Sequence, residues 1–193
     1  MVRWDSKESA GRFPVIFQKK IESHRLHISK NMKNTEAAFH WIIDILERRG
    51  IIYKISGGLA ARAYGSKREL ADIDIEVADT DIVKIIDDVK PFIIFGPGRY
   101  QDENWDLELM TLEYEDQEID IAGAGAKIFN QETKQWESLA SDLENTMMEK
   151  IFDRIVPIET KESLLAYKAR LKREVDLEDI KQLAWSISKI FLK

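Results

Sequence analysis

Apolar residues recur at Ala38, Trp41, Ile42, Ile45 and Leu46, a spacing that lines one side of a helix with 3.6 residues per turn. Thr35 stands where an N-cap belongs and Gly50 closes the run, so the pattern predicts an amphipathic helix from Thr35. Beyond it the period changes. Ile51 to Ser56 reads as a buried strand running into Gly57-Gly58, and Leu59 to Tyr64 as a short helix. Alternation sets in at Ile73 to Val77, a second strand, and Thr80 to Val89 follows as a helix with Ile82, Ile85, Ile86 and Val89 on one side. Phe92 to Phe95 is a short strand ended by the turn Gly96-Pro97-Gly98. Trp105 to Tyr114 and Glu118 to Ala122, separated by Glu115-Asp116-Gln117, predict a hairpin. Ile151 to Ile158 adds an edge strand closed by Pro157. Two helices finish the chain, near Lys161 to Lys172 and Leu177 to Phe191, the second with Leu177, Ile180, Ala184, Ile187 and Phe191 at helical spacing. Helices interleave with strands, yet the hairpin demands antiparallel pairing. A mixed β-sheet flanked by helices, an α+β fold, satisfies both.

At 193 residues the chain is long enough for one substantial core, so the expectation is a single domain over 1–193. Its expected parts include a basic N-terminal arm over 1–33 and C-terminal helices over 159–193. The arm carries eight Lys/Arg against three Asp/Glu, and the remainder 21 against 32. An acidic body is a poor general nucleic-acid surface. Gly11-Arg12-Phe13-Pro14 breaks any long helix in the arm. No apolar run approaches a membrane span, and Met1-Val2-Arg3-Trp4-Asp5 lacks the apolar core of a signal peptide. A cytoplasmic protein with no membrane partner is expected. The absence of cysteine excludes disulfides, thiolate zinc sites and a cysteine nucleophile together.

Chemistry concentrates in the centre. In Ala71-Asp72-Ile73-Asp74-Ile75 the two carboxylates share one strand face, about 6 to 7 Å apart along the chain. Two bare carboxylates at about 4 Å and an effective dielectric of about 20 repel by roughly 4 kcal/mol, which a cation would relieve. Glu118-Ile119-Asp120-Ile121 repeats the alternation and offers a third carboxylate from a neighbouring strand, either Glu118 or Asp120. Oxygen ligands without thiolate or imidazole favour Mg²⁺ or Mn²⁺. Taken alone, this alternation also fits a solvated strand face. Upstream, Ser56-Gly57-Gly58 lies where a strand meets a helix, a junction at which glycine lets the backbone approach a ligand and N–H groups can meet an anion.

The pattern Gly57-Gly58, Ala60, Tyr64-Gly65, Arg68, Asp72-Ile73-Asp74-Ile75 resembles the core motif of the nucleotidyltransferase superfamily related to polymerase beta. In particular it is similar to the branch with a doubled glycine, which includes lincosamide-type and toxin-associated nucleotidyltransferases. The resemblance covers residues 51–77. It implies that Ser56, Gly57 and Gly58 hold a triphosphate, that Asp72 and Asp74 bind divalent ions, and that Asp120 completes the site for the ion serving the acceptor hydroxyl. It further implies transfer of NMP from an NTP to an acceptor hydroxyl with release of pyrophosphate, Asp120 being ligand or general base. Many members carry Gly-Ser where this chain has Gly57-Gly58, which leaves Ser56 or Ser66 to supply a hydroxyl.

Lys168 falls between Leu164 and Leu171 on the stripe that faces the core, where an ammonium must snorkel or meet an anion. The resemblance makes that anion the triphosphate. Arg68 and Lys67, in the loop before the acidic strand, are placed to neutralise a phosphate or the acceptor, and surface solvation explains Lys67 at least as well. Tyr100, Trp105 and Trp136 are candidates to stack a base or to fill core. His24, His27 and His40 are scattered; His24 and His27 could share a helix face but lack a carboxylate partner of obvious spacing. Asp176-Leu177-Glu178-Asp179 has the charge of a helix start and is given no chemistry. A nucleotide-binding or antitoxin-like module that keeps the fold without turnover is the alternative function. The acceptor, whether small molecule, RNA end or protein hydroxyl, is left open by these residues.

Overall fold

The computed structural model describes the backbone of residues 34–188 and the side chains of 34–184. The expected basic arm and the end of the final helix lie outside the described residues. The first helix, α1 (Thr35–Arg48), forms as its periodicity predicts and buries Ala38, Phe39, Ile42, Ile43, Ile45 and Leu46. Its cap is Asn34 and not Thr35: the Asn34 side chain accepts from the Ala37 N–H at 3.1 Å, while Thr35 Oγ1 donates to Gln117 Oε1 at 2.7 Å.

A nine-stranded mixed sheet follows: β1 (Tyr53–Ile55), β2 (Asp72–Val77), β3 (Ile93–Gln101), β4 (Trp105–Tyr114), β5 (Gln117–Gly123), β6 (Lys127–Asn130), β7 (Gln135–Ser138), β8 (Thr146–Ile151) and β9 (Arg154–Glu159). Their hydrogen-bonded order is β7-β6-β4-β5-β2-β1-β9-β8, with β3 off this path and paired to β4; β6 and β5 pair with successive stretches of β4. Only β2 with β5 and β1 with β9 run parallel. Alternation gives the central strands two different faces. Ile73, Ile75 and Val77 of β2, Ile119 and Ile121 of β5, and Met110 and Leu112 of β4 pack with α1 in the main core. Fully burying each such side chain stabilises by about 1.5 to 3 kcal/mol. The opposite face therefore carries Asp72, Asp74, Glu76, Glu118 and Asp120, as the alternation requires.

Helix α2 (Gly57–Ala63) starts directly at the glycine pair. With α4 (Lys161–Leu171) and α5 (Glu174–Ser188) it forms a second core of Ala60, Ala61, Leu164, Tyr167, Leu171 and Leu183 over the acidic side. The α+β architecture is the one expected, and no helix among the described residues is long and apolar enough to cross a membrane.

Besides β6 and β7, which the sequence reading did not include, four elements depart from it. The stretch Thr80 to Val89 is a 3₁₀ turn (Ile82–Ile85) running into α3 (Ile86–Val89), and Pro91 opens a further 3₁₀ turn at Lys90–Phe92. Ile82, Ile85 and Val89 are buried all the same. The Gly96-Pro97-Gly98 segment does not end a strand, because β3 continues through it with register shifts on both sides of Phe95. Ile151 to Ile158 is not one edge strand. It spans a hairpin whose turn at Phe152 and Asp153 joins β8 to β9, with β8 at the edge and Pro157 inside β9 opposite Met148.

The fourth departure is the buried face of α5. The expected stripe of Leu177, Ile180 and Ala184 is not the inner one: Leu177 is 53% exposed, whereas Asp176 and Asp179 are 0% exposed. The helix is turned so that carboxylates face inward. Leaving a leucine in water forfeits about 1.5 to 3 kcal/mol, and a buried carboxylate is tolerated only when paired.

Candidate active site

The parallel pairing of β2 with β5 sets Asp74 beside Asp120 and Asp72 beside Glu118. One carboxylate oxygen from each of Asp72, Asp74 and Asp120 lies within 4.8 Å of the other two. The glycine bend closes onto this group. Ser56 N–H donates to the Asp74 carbonyl at 3.0 Å, and Gly58 N–H donates to Asp74 Oδ2 at 3.2 Å. Gly57 has φ +59°, a conformation that favours glycine. A Cβ on Gly57 would overlap the Asp74 carboxylate, so the bend and the acid fit only because that side chain is missing.

Burial pushes the Asp120 carboxyl up to about 8, the charges of Asp74, Glu118 and Asp72 adding to the rise while the Thr111 hydroxyl opposes it. Thr111 Oγ1 donates to Asp120 Oδ1 at 2.7 Å. Asp74 is raised as well, by burial and then by the charge of Asp72, against the Gly58 N–H and the more distant Lys168 and Arg173. The group stores like-charge repulsion that a divalent ion would relieve. Its donor set is all oxygen, with no histidine or cysteine in it, which fits Mg²⁺ or Mn²⁺.

These residues open into a cleft of about 430 Å³. Ser56, Gly57, Gly58 and Arg68 line one side of the triad, and Tyr100, Trp105, Leu107 and Leu109 bring an aromatic and apolar wall from β3 and β4. Glu118 also lines the cleft and is exposed beside Asp72. Lys168 lines it too, but it already has anions: its Nζ stands 3.3 Å from Asp176 Oδ1 and 3.0 Å from Asp179 Oδ2. Arg68 Nε lies 3.4 Å from Asp179 Oδ1. Of the two candidate hydroxyls, Ser56 faces the cleft, whereas Ser66 Oγ donates to Asp179 Oδ1 at 2.7 Å. Lys67 contributes its backbone N–H, donated to Gln182 Oε1 at 2.6 Å.

Trp136 of β7 packs on Phe129 of β6 and does not line the cleft. His40 lies 3.1 Å from Asp153 and 3.8 Å from Glu36, far along the chain from the acidic strands; His24 and His27 fall outside the described residues.

Several contributors were invisible as such in the sequence. Thr111 is the residue directly opposite Asp120 on β4. Glu159, at the end of β9 and not in the cleft lining, is raised to about 8 by burial, with Glu76 adding to the rise and Lys54 and Lys168 opposing it. Arg173 lines the cleft while its Nε donates to Asp176 Oδ2 at 2.7 Å and its guanidinium carbon stands 5.7 Å from the Trp105 ring centre. The one available signal for the last was the Arg173 and Asp176 spacing of i, i+3 at a helix start.

The helix-flanked mixed sheet that carries these acids is a nucleotidyltransferase-like fold by its likeness to solved structures. Among solved structures, the chain is similar to a Thermotoga maritima protein assigned as a nucleotidyltransferase, with TM-score 0.59 and 20% identity over 84% of this chain and 99% of that one. It is similar also to the lincosamide antibiotic adenylyltransferase LnuA, solved with lincomycin bound, at TM-score 0.54 and 20% identity over 79% of this chain and 98% of that one. A third is the antibiotic-resistance factor ANT(2'')-Ia, at TM-score 0.54 and 16% identity over 81% and 86% of the two chains. No protein-family model matches the sequence, and no curated protein matches it.

Proposed function

We propose that this protein is a metal-dependent nucleotidyltransferase that moves NMP from an NTP to an acceptor hydroxyl and releases pyrophosphate. The convergence of Asp72, Asp74 and Asp120 beside the Gly57-Gly58 bend carries this reading. In it, Ser56, Gly57 and Gly58 receive the triphosphate, Arg68 and Lys168 add positive charge to that side of the cleft, and the three aspartates hold divalent ions, Mg²⁺ or Mn²⁺. Bound ions would supply charge neutralisation and polarisation of the reacting phosphoryl oxygens. The acceptor oxygen bonds to the α-phosphorus, the bond to the bridging oxygen of the β-phosphoryl group breaks, and pyrophosphate leaves. The acceptor proton passes to Asp120 or to solvent. The Gly58 N–H fixes Asp74 and the Thr111 hydroxyl fixes Asp120, so both carboxylates are oriented before substrates arrive.

LnuA and ANT(2'')-Ia were solved with lincomycin and with adenylyl-2''-tobramycin respectively. A small molecule bearing a hydroxyl is by analogy the acceptor class favoured here. The whole chain is read as one such domain acting in the cytoplasm.

Incubation with each labelled NTP, Mg²⁺ and a panel of hydroxyl compounds tests the reading. Pyrophosphate release and a labelled acceptor are expected, falling to background in Asp72→Ala and in Asp74→Ala. Turnover unchanged in both variants discards the mechanism. Nucleotide binding without product under every condition makes the protein a binding module instead.

A further inference from the structure

Helix α5 buries Asp176 and Asp179 completely, and Lys168 beside them is 1% exposed. The contacts of these two acids form a pattern. Asp176 takes Arg173 through both oxygens, Nε at 2.7 Å and Nη2 at 3.1 Å, and Lys168 Nζ at 3.3 Å. Asp179 takes Lys168 Nζ at 3.0 Å, Arg68 Nε at 3.4 Å and the Ser66 hydroxyl at 2.7 Å. The three cations line the cleft and the two carboxylates do not. Asp176 and Asp179 thus stand behind a cationic wall, each bridging two of its members. That wall reaches the glycine pair: a Cβ on Gly58 would come within 2.8 Å of Arg68 Nη2.

Burial also fits this arrangement. It pushes Asp179 up, yet the hydrogen bonds from Ser66 and Lys168 and the charges of Lys168 and Arg68 outweigh it and hold the carboxyl below its ordinary range.

We propose that Asp176 and Asp179 are positioning residues that pre-aim Arg68, Lys168 and Arg173 at the phosphate side of the cleft. The proposal rests on the reading of the glycine bend as a triphosphate site. Long cationic side chains lose rotamer freedom when they bind an anion, and fixing them beforehand removes that cost from binding. Closing α5 onto α4 needs no buried acid, since Leu177 was available for an apolar seam and lies outside it.

The probe is inorganic tripolyphosphate with Mg²⁺, which isolates phosphate recognition from base and acceptor, measured by calorimetry on the full chain. Asp179→Asn is expected to weaken binding about tenfold, Ser66→Ala about threefold, and Lys168→Met about tenfold. Because Asp179 acts through Lys168 and, by the longer contact, through Arg68, the double variant should be weaker than Lys168→Met by no more than about threefold, the part that Arg68 carries. A Kd unchanged or tightened in Asp179→Asn, or effects that multiply fully in the double variant, overturns the proposal; so does a wild-type chain that does not bind the probe. If Asp179→Asn does not fold, Ser66→Ala alone and with Lys168→Met decides by the same criteria. Wild-type binding with coupled variants but no nucleotidyl transfer supports this inference while removing the proposed reaction.

Discussion

Two pairs of aspartates, built on the same i, i+2 or i, i+3 logic, meet opposite fates in this molecule. Asp72 and Asp74 sit on β2 with Asp120 close by, and burial first, with their mutual repulsion adding to it, raises Asp74 and Asp120. Asp176 and Asp179 sit on α5 within reach of Lys168, Arg173 and Arg68, and Asp179 is lowered despite its burial. The protein's own cations satisfy the second pair. In the proposed reading, the first group is the one a cation from outside would complete. A carboxylate cluster thus signals a metal site less by its presence than by the sign of its imbalance.

The sharpest way to break that comparison is Asp120→Asn. Its expected effect on transfer is a loss of about a thousandfold or more, because a ligand and possible base is removed. The same variant should be more stable than wild type without metal, and addition of Mg²⁺ should no longer raise its unfolding temperature. A metal-free variant less stable than wild type would show that the triad is not under repulsion.

Gly57→Ala comes next. The methyl group would overlap the Asp74 carboxylate at a positive φ, so the bend must move off the acid, with a stability loss of about 1 to 3 kcal/mol and a larger proportional loss of nucleotide binding. Chemical denaturation and NTP titration of the variant read the two effects separately.

Both results bear on the part of the molecule that was legible in the sequence. The Ile73 and Ile75 alternation required Asp72 and Asp74 to share a face, the Glu118 to Ile121 run repeated it, and the hairpin joining β4 to β5 was expected with Glu115-Asp116-Gln117 as its turn; the turn is two residues, Glu115 and Asp116, each with positive φ, and Gln117 already pairs with Tyr114. The Leu164 and Leu171 spacing placed Lys168 inside. What the sequence could not reveal was partnership across long chain separations. The α5 pattern pointed to Leu177 because periodicity counts apolar residues and cannot see that Asp179 will meet Lys168, Arg68 and Ser66. The β8 strand was missed because Thr146 to Lys150 shows neither clean alternation nor an apolar run. In β3, Gly96-Pro97-Gly98 has turn chemistry, yet pairing with β4 carries the strand through it.

A third prediction concerns Glu159, whose folded value near 8 stands above the ordinary 4.5. The folded state therefore holds this proton more tightly than the unfolded chain, and the stability it contributes is present below about pH 4.5 and lost as pH rises through about 8. Glu159→Gln, which stays neutral, should match wild type near pH 4 and exceed it above pH 8 by up to about 5 kcal/mol, an order-of-magnitude figure. Denaturant midpoints across that range check it; parallel curves for the two proteins would count against a buried neutral Glu159.

The smallest expected effect is at Leu177. Since it is 53% exposed, Leu177→Gln should change stability by less than about 0.5 kcal/mol. A loss of core size would mean that α5 packs as its apolar spacing predicted, with the aspartates turned out.

Direct titration with Mn²⁺, followed by electron paramagnetic resonance of the free ion, tests the central claim that the triad is made for a divalent cation. Saturable binding to the wild-type chain, abolished in Asp74→Asn and in Asp120→Asn but retained in Asp176→Asn, is the expected result. Equal binding to all four proteins, or no binding to the wild type with or without NTP, would contradict it.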